Sequence, residues 1–155
     1  AFVRSLSLPG IEEISSVFRN AGVYSSTNIT VLSDADAGLR SIQSKVAPNA
    51  QHILDWFHIA MRFQNMLQLG KALYNQPAIW EDGCWVMMKL DRAKWSLWNG
   101  QGDKTVAHLI AVHAWTLARG AETPSGVARL QKLVYEMLNY VFANEGSFPN
   151  YAERY

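Results

Sequence analysis

A chain of 155 residues that is 49% hydrophobic and only 17% charged can bury one sizeable core and is too apolar for a disordered segment. A net charge of +1 gives no support to a surface coated with basic residues, so any nucleic-acid role has to be argued from a site. The lone Cys84 excludes an internal disulfide and a CxxC zinc site, and no apolar run approaches a membrane span, so the expectation is a soluble cytoplasmic protein without a membrane partner.

In chain order, residues 1 to 10 (AFVRSLSLPG) suggest a short strand or extended arm closed by a Pro9-Gly10 turn. Ile11, Ile14, Val17 and Phe18 then recur at helical spacing, with Gly22 as the stop. A polar loop follows, and Ile29 to Leu32, rich in β-branched residues, predicts a strand that runs into Asp34 and Asp36. From Ala35 to Val46, Leu39, Ile42 and Val46 share a helical face, and Pro48-Asn49 closes the segment. His52 to Leu54 predicts a second short strand. Strand, helix and strand within about 25 residues make a right-handed βαβ crossover with parallel strands, so the ends at Asp34 and Asp55 face the same side.

Beyond Asp55 the pattern is helical. Ile59, Phe63, Met66, Leu67 and Leu73 line a long helix that ends before Pro77, and Trp85, Met88 and Trp95 mark a second from Trp80 to Trp98. Val106, Leu109, Ile110, His113 and Leu117 predict a third. A fourth follows Thr123-Pro124, with Val127, Leu130, Val134, Leu138 and Val141 on its apolar face.

Two acidic stretches invite a functional reading, and each has a structural one beside it. Asp34 stands where the carboxyl end of a parallel strand presents side chains to ligands, yet Asp there also serves as a helix N-cap. Asp36 falls in the first helical turn, where its charge suits the helix dipole. In Asp55-Trp56-Phe57-His58, Asp55 is a natural N-cap and His58 lies three residues on; the pair reads either as a capped helix start or as a contact beside Asp34. Trp95 and Trp98 flank Asp91, Arg92 and Lys94, and a Trp stripe of this kind is expected in the core. His108 and His113 lack the four-residue spacing of helical metal ligands. There is no glycine-rich phosphate loop and no GxSxG elbow, which leaves kinase, P-loop and hydrolase readings without their residues.

Taken in order, TVLSDADAGLR (30 to 40), APNAQHILDWFHIAMRF (47 to 63), LDRAKWSLWNG (90 to 100) and the terminal NYAERY resemble DDE-type transposases of bacterial insertion sequences, in particular the ISKra group, itself similar to the Mutator-like transposases. The resemblance implies an α/β fold: a partial RNase H-like core with short parallel strands over residues 1–58, a predominantly α-helical insertion over 59–146, and a return toward the core, truncated, over 147–155. It implies metal-dependent DNA cleavage and strand transfer, with two aspartates and a later glutamate holding two Mg²⁺ or Mn²⁺ ions. The second aspartate of that set closes the motif LSD, which is Asp34. The acid-x-x-His signature falls on Asp55 and His58, a supporting pair rather than metal ligands. Implied partners are the transposon ends and target DNA, with a homo-oligomer in the full-length enzyme; the DNA-binding residues are not identified.

The chain departs from that pattern at both ends. No acid lies upstream of Glu12, where the first aspartate would stand, and Glu136, Glu145 and Glu153 are outside the glutamate's motif, which follows NYxERY. The expectation is therefore a fragment of a transposase, inactive as an isolated chain. The alternative is a non-catalytic helical interaction or nucleic-acid-binding module derived from a transposase, in which Asp34 only caps a helix.

Overall fold

The computed structural model describes residues 8–24, 26–76, 79–119 and 125–154. The predicted N-terminal strand or arm lies mostly outside them. The chain divides after Asp55 into two compact units.

The first unit holds α1 (Leu8–Asn20), β1 (Thr30–Ser33), α2 (Ala37–Val46) and β2 (Gln51–Leu54). Pro9 and Gly10 belong to the first turn of α1 and not to a turn ahead of it. Proline is tolerated there because its missing N–H would have had no intrahelical partner. At the other end Val23 N–H donates to the Phe18 carbonyl at 2.9 Å and Gly22 N–H to that of Arg19 at 3.0 Å, with Gly22 at φ +75°. This is a Schellman closure, and the positive φ is what requires glycine.

β1 and β2 pair in parallel, Thr30 opposite Gln51 through Ser33 opposite Leu54, and α2 is the crossover between them. Side-chain alternation puts Val31, Ser33, His52 and Leu54 on one face of the pair. Ile53 and Leu54 are buried, whereas Leu32 is half-exposed.

The second unit contains α3 (Trp56–Tyr74), α4 (Trp80–Trp98), α5 (Gly102–Ala118), α6 (Ser125–Ala143) and the short α7 (Tyr151–Arg154). Each of α3 to α6 packs on the next, and α6 returns to α3, closing a four-helix ring. Neighbours run antiparallel. Asp82 near the start of α4 meets Trp115 near the end of α5, while Thr105 near the start of α5 donates to the Ala93 carbonyl at 3.1 Å. Arg62 likewise lies over the Tyr140 ring at 4.3 Å, joining the first half of α3 to the end of α6.

The core stripes are Ile59, Phe63, Met66 and Leu73 on α3, and Val127, Leu130, Val134, Met137, Leu138 and Val141 on α6. On α4 the stripe is Val86, Leu90, Ala93 and Leu97, not the predicted Trp85, Met88 and Trp95; Trp95 is 47% exposed. On α5 the buried positions are Thr105, Leu109, Val112 and Thr116, while Ile110 and Leu117 are 51% and 57% exposed. The threonines can be interior because their hydroxyls donate to backbone carbonyls, Thr116 to His113 at 2.7 Å.

One end of the ring is closed by rings of another kind. Tyr151, fully buried, stacks on Trp98 at 5.6 Å and lies 5.0 Å from Trp56, and the two indoles meet edge-on at 4.8 Å. Residues after α6 therefore return to the helical unit at the first turn of α3 and the last turn of α4.

Candidate functional site

β1 ends at Ser33 and β2 at Leu54, and Asp55 N–H donates to the Ser33 carbonyl at 2.8 Å, extending the ladder by one bond. Asp34 and Asp55 thus follow neighbouring parallel strand ends at one edge of the sheet, the edge at which open α/β sheets present ligand-binding side chains. Asp34 is exposed and Asp55 half-buried.

The helix cap falls to a different acid from the one the sequence suggests. Asp36, predicted inside the first turn, has extended backbone and is the N-cap of α2, its Oδ1 accepting from Leu39 N–H at 3.0 Å. Among the described residues, Asp34 accepts only from Asp36 N–H, at 3.2 Å through Oδ1. Between them Ala35 takes φ +74°, a left-handed conformation unusual for a residue with a Cβ. That reversal separates the two carboxylates, so Asp36 serves the helix and Asp34 is left at the strand mouth.

Just behind this edge lies an arrangement that the sequence alone did not show. Ser33 Oγ is 2.7 Å from His52 Nε2, and Arg40 Nη2 is 3.3 Å from His52 Nδ1. A guanidinium can only donate, so Nδ1 must accept and Nε2 carries the proton toward Ser33. Burial, and then the charge of Arg40, hold the His52 pKa below its ordinary value. A neutral imidazole already protonated at Nε2 cannot take the Ser33 proton, so the pair ties β1, β2 and α2 together and does not activate a nucleophile. The signal was cross-strand register, which becomes available only once Val31 is known to pair with His52.

His58 lies in the first turn of α3, exposed, with the Phe57 ring edge-on at 5.7 Å. Among the described residues no group of three or more His, Cys, Asp or Glu side chains is placed to share a metal ion. These residues do not by themselves fit a two-metal site. One exposed carboxylate at a strand mouth can serve as a single ligand, and binding two ions requires further acids.

No described helix is long and apolar enough to cross a membrane. No family model, curated protein or solved structure matches the chain.

Proposed function

We propose that this chain is part of the RNase H-like catalytic core of a DDE-type insertion-sequence transposase, carrying an all-helical insertion, and that Asp34 is one of the carboxylates that hold Mg²⁺ or Mn²⁺ in the complete enzyme. The reading begins with the resemblance of LSD and DWFH to that family. The observation that supports it is the placement of Asp34: exposed at the carboxyl end of a parallel strand and relieved of helix capping by Asp36. In the complete enzyme the metal ions would supply charge for DNA cleavage and strand transfer. This chain's own part is narrower. β1 fixes the backbone before Asp34, and the left-handed Ala35 and the Asp36 cap fix the backbone after it, while Asp36 N–H holds its Oδ1 at 3.2 Å. Asp55 and His58 carry the acid-x-x-His signature and are assigned supporting roles.

A second reading, a non-catalytic helical interaction or nucleic-acid-binding module derived from a transposase, is favoured by the absence of a three-ligand metal group among the described residues. The flanking DNA separates the two. An in-frame upstream aspartate and downstream glutamate, bracketed by inverted repeats, would support the transposase core, and the extended polypeptide should then lose metal-dependent DNA cleavage on Asp34→Ala. Stop codons or unrelated sequence on both sides would defeat it. The isolated chain is expected to neither cut nor join DNA; a Mn²⁺-dependent nicking activity of this chain that vanished in Asp34→Ala would show that expectation to be mistaken.

A further inference from the structure

The near-neutral total charge of the chain conceals an uneven distribution in the helical unit. On α4, Trp85, Lys89 and Arg92 recur at i, i+4 and i+7 and so share one face. On α5, Lys104, His108 and Trp115 follow the same rule, and the C-cap Arg119 continues it. The two faces meet along the α4–α5 seam: Trp115 Nε1 donates to Asp82 at 3.2 Å, Arg119 pairs with the same carboxylate, and Lys89 and Arg92 stand near enough to His108 to act on its charge.

Along this seam cations and indoles alternate. Lys89 Nζ lies over the Trp85 ring at 5.6 Å, and Arg119 over the Trp115 ring at 5.1 Å. Glu81 and Asp82, both in the first turn of α4, are the carboxylates on these two faces, and Arg119 pairs with Asp82. Among the described residues, Lys89, Arg92 and Lys104 have no carboxylate within ion-pair distance. His108 shows the consequence: burial, and then Lys89 and Arg92, push its pKa down. An unanswered positive field of this kind is complementary to a polyanion.

We infer that the α4–α5 seam, from Arg92 and Lys104 to Arg119, is a binding surface for the sugar-phosphate backbone of a nucleic acid strand. The fifteen residues from Lys104 to Arg119 rise about 22 Å, the length of about six nucleotides of one strand. The interleaved indoles favour a nucleic acid over an acidic peptide, because bases and sugars offer flat faces to stack while a polyglutamate offers charge alone. The inference does not rest on the reading of Asp34.

The test is fluorescence anisotropy of the whole chain with a labelled single strand of about 20 nucleotides and with its duplex. Binding to at least one of them in the micromolar range, weakening roughly thirtyfold between about 50 and 200 mM salt, is the expected result for about three phosphate contacts. Lys89→Glu with Arg92→Glu should weaken binding more than about tenfold and lower the salt slope by about two. Lys132→Glu, on the exposed face of α6, should bind as the parent does. Circular dichroism checks the fold, and Lys89→Gln with Arg92→Gln replaces the reversal should that variant not fold. A measurement needing no variant is the His108 imidazole resonance, whose pKa should rise when the oligonucleotide is added. Absence of binding to either oligonucleotide, an equal loss in Lys132→Glu, an unmoved His108 pKa, or polyglutamate competing as well as the oligonucleotide would each overturn the proposal.

Discussion

Gly83 is where α4 comes closest to α3, and Gly83→Ala tests the packing of the helical unit most directly. A Cβ at this position would lie 2.7 Å from the Leu73 carbonyl carbon and closer still to the backbone N and Cα of Tyr74. Carbon atoms rest about 3.5–4.0 Å apart, so the helix ends must separate by on the order of 1 Å. Backbone cannot escape by changing rotamer. The separation would loosen the contact beneath, where Leu73 and Val86 are fully buried. Overpacking costs about 1–3 kcal/mol, more where nothing flexible yields, and alanine's better helix propensity returns up to about 1 kcal/mol. The net expectation is a loss of about 2 kcal/mol. Gly70→Ala is the internal control, because its Cβ would meet the flexible Met87 side chain at 3.1 Å and Val86 Cγ1 at 3.4 Å. Its overpacking and propensity terms should nearly cancel. Urea denaturation followed by circular dichroism should place the Gly83→Ala midpoint about 1 M below the parent, with Gly70→Ala close to it. A Gly83→Ala chain as stable as the parent, or a Gly70→Ala chain less stable than Gly83→Ala, would refute the account of this contact.

The division of labour between the two aspartates has its own stability signature. Asp36→Ala should cost about 1 kcal/mol through loss of the α2 cap, while Asp34→Ala should stay within about 0.5 kcal/mol; the reverse order in a thermal melt would make Asp34 the structural acid. A pH effect follows from the depressed pKa values of His52 and His108. Above the ordinary value of 6.5 both folded and unfolded imidazoles are neutral, and their contribution is flat. As pH falls below 6.5 the unfolded chain takes up protons first, so folding stability declines until the folded pKa values are passed. Denaturation midpoints measured from about pH 7.5 down to pH 5 should therefore fall, and His52→Gln with His108→Gln should flatten the trend. Stability that rose on acidification through this range would contradict the burial of these rings.

The parts of the fold that could be read from the sequence are those where one physical requirement dominates. The run TVLS, the stripe Leu39, Ile42 and Val46, and QHIL give strand, helix and strand because a crossover of that length leaves little else to do; the observed parallel pair has this form. In α6 the stripe Val127, Leu130, Val134, Leu138 and Val141 is uninterrupted, and all five are buried. Reading failed where two requirements competed. In α4 the large indoles drew attention, but a helix that approaches its neighbour through Gly83 needs Val86, Leu90, Ala93 and Leu97 at the contact, and the indoles are displaced to its flanks. In α5 a search for apolar residues passes over Thr105 and Thr116, whose hydroxyls satisfy themselves on carbonyls. At the site, the position of Asp34 past a strand end was legible from spacing. Its release from capping depends on the left-handed turn at Ala35, and alanine gives no sequence signal for such a turn. The Ser33–His52–Arg40 link needs a pairing register that spacing does not provide.

The ring in which α6 returns to α3 and Tyr151 covers Trp56 and Trp98 also constrains the order of events during synthesis. A ribosome delivers α3, α4 and α5 before α6, which packs on α3, and Tyr151, the second of the two rings that meet Trp56, comes after all of them. Until α6 arrives, α3 and α5 lack the face of α6 that packs on both of them, Val127, Leu130, Val134, Met137, Leu138 and Val141. Slow translation between α5 and α6 would prolong that interval and favour capture by chaperones or by another nascent copy. Codon choice over the α5–α6 connection is thus a physical variable for the yield of folded chain.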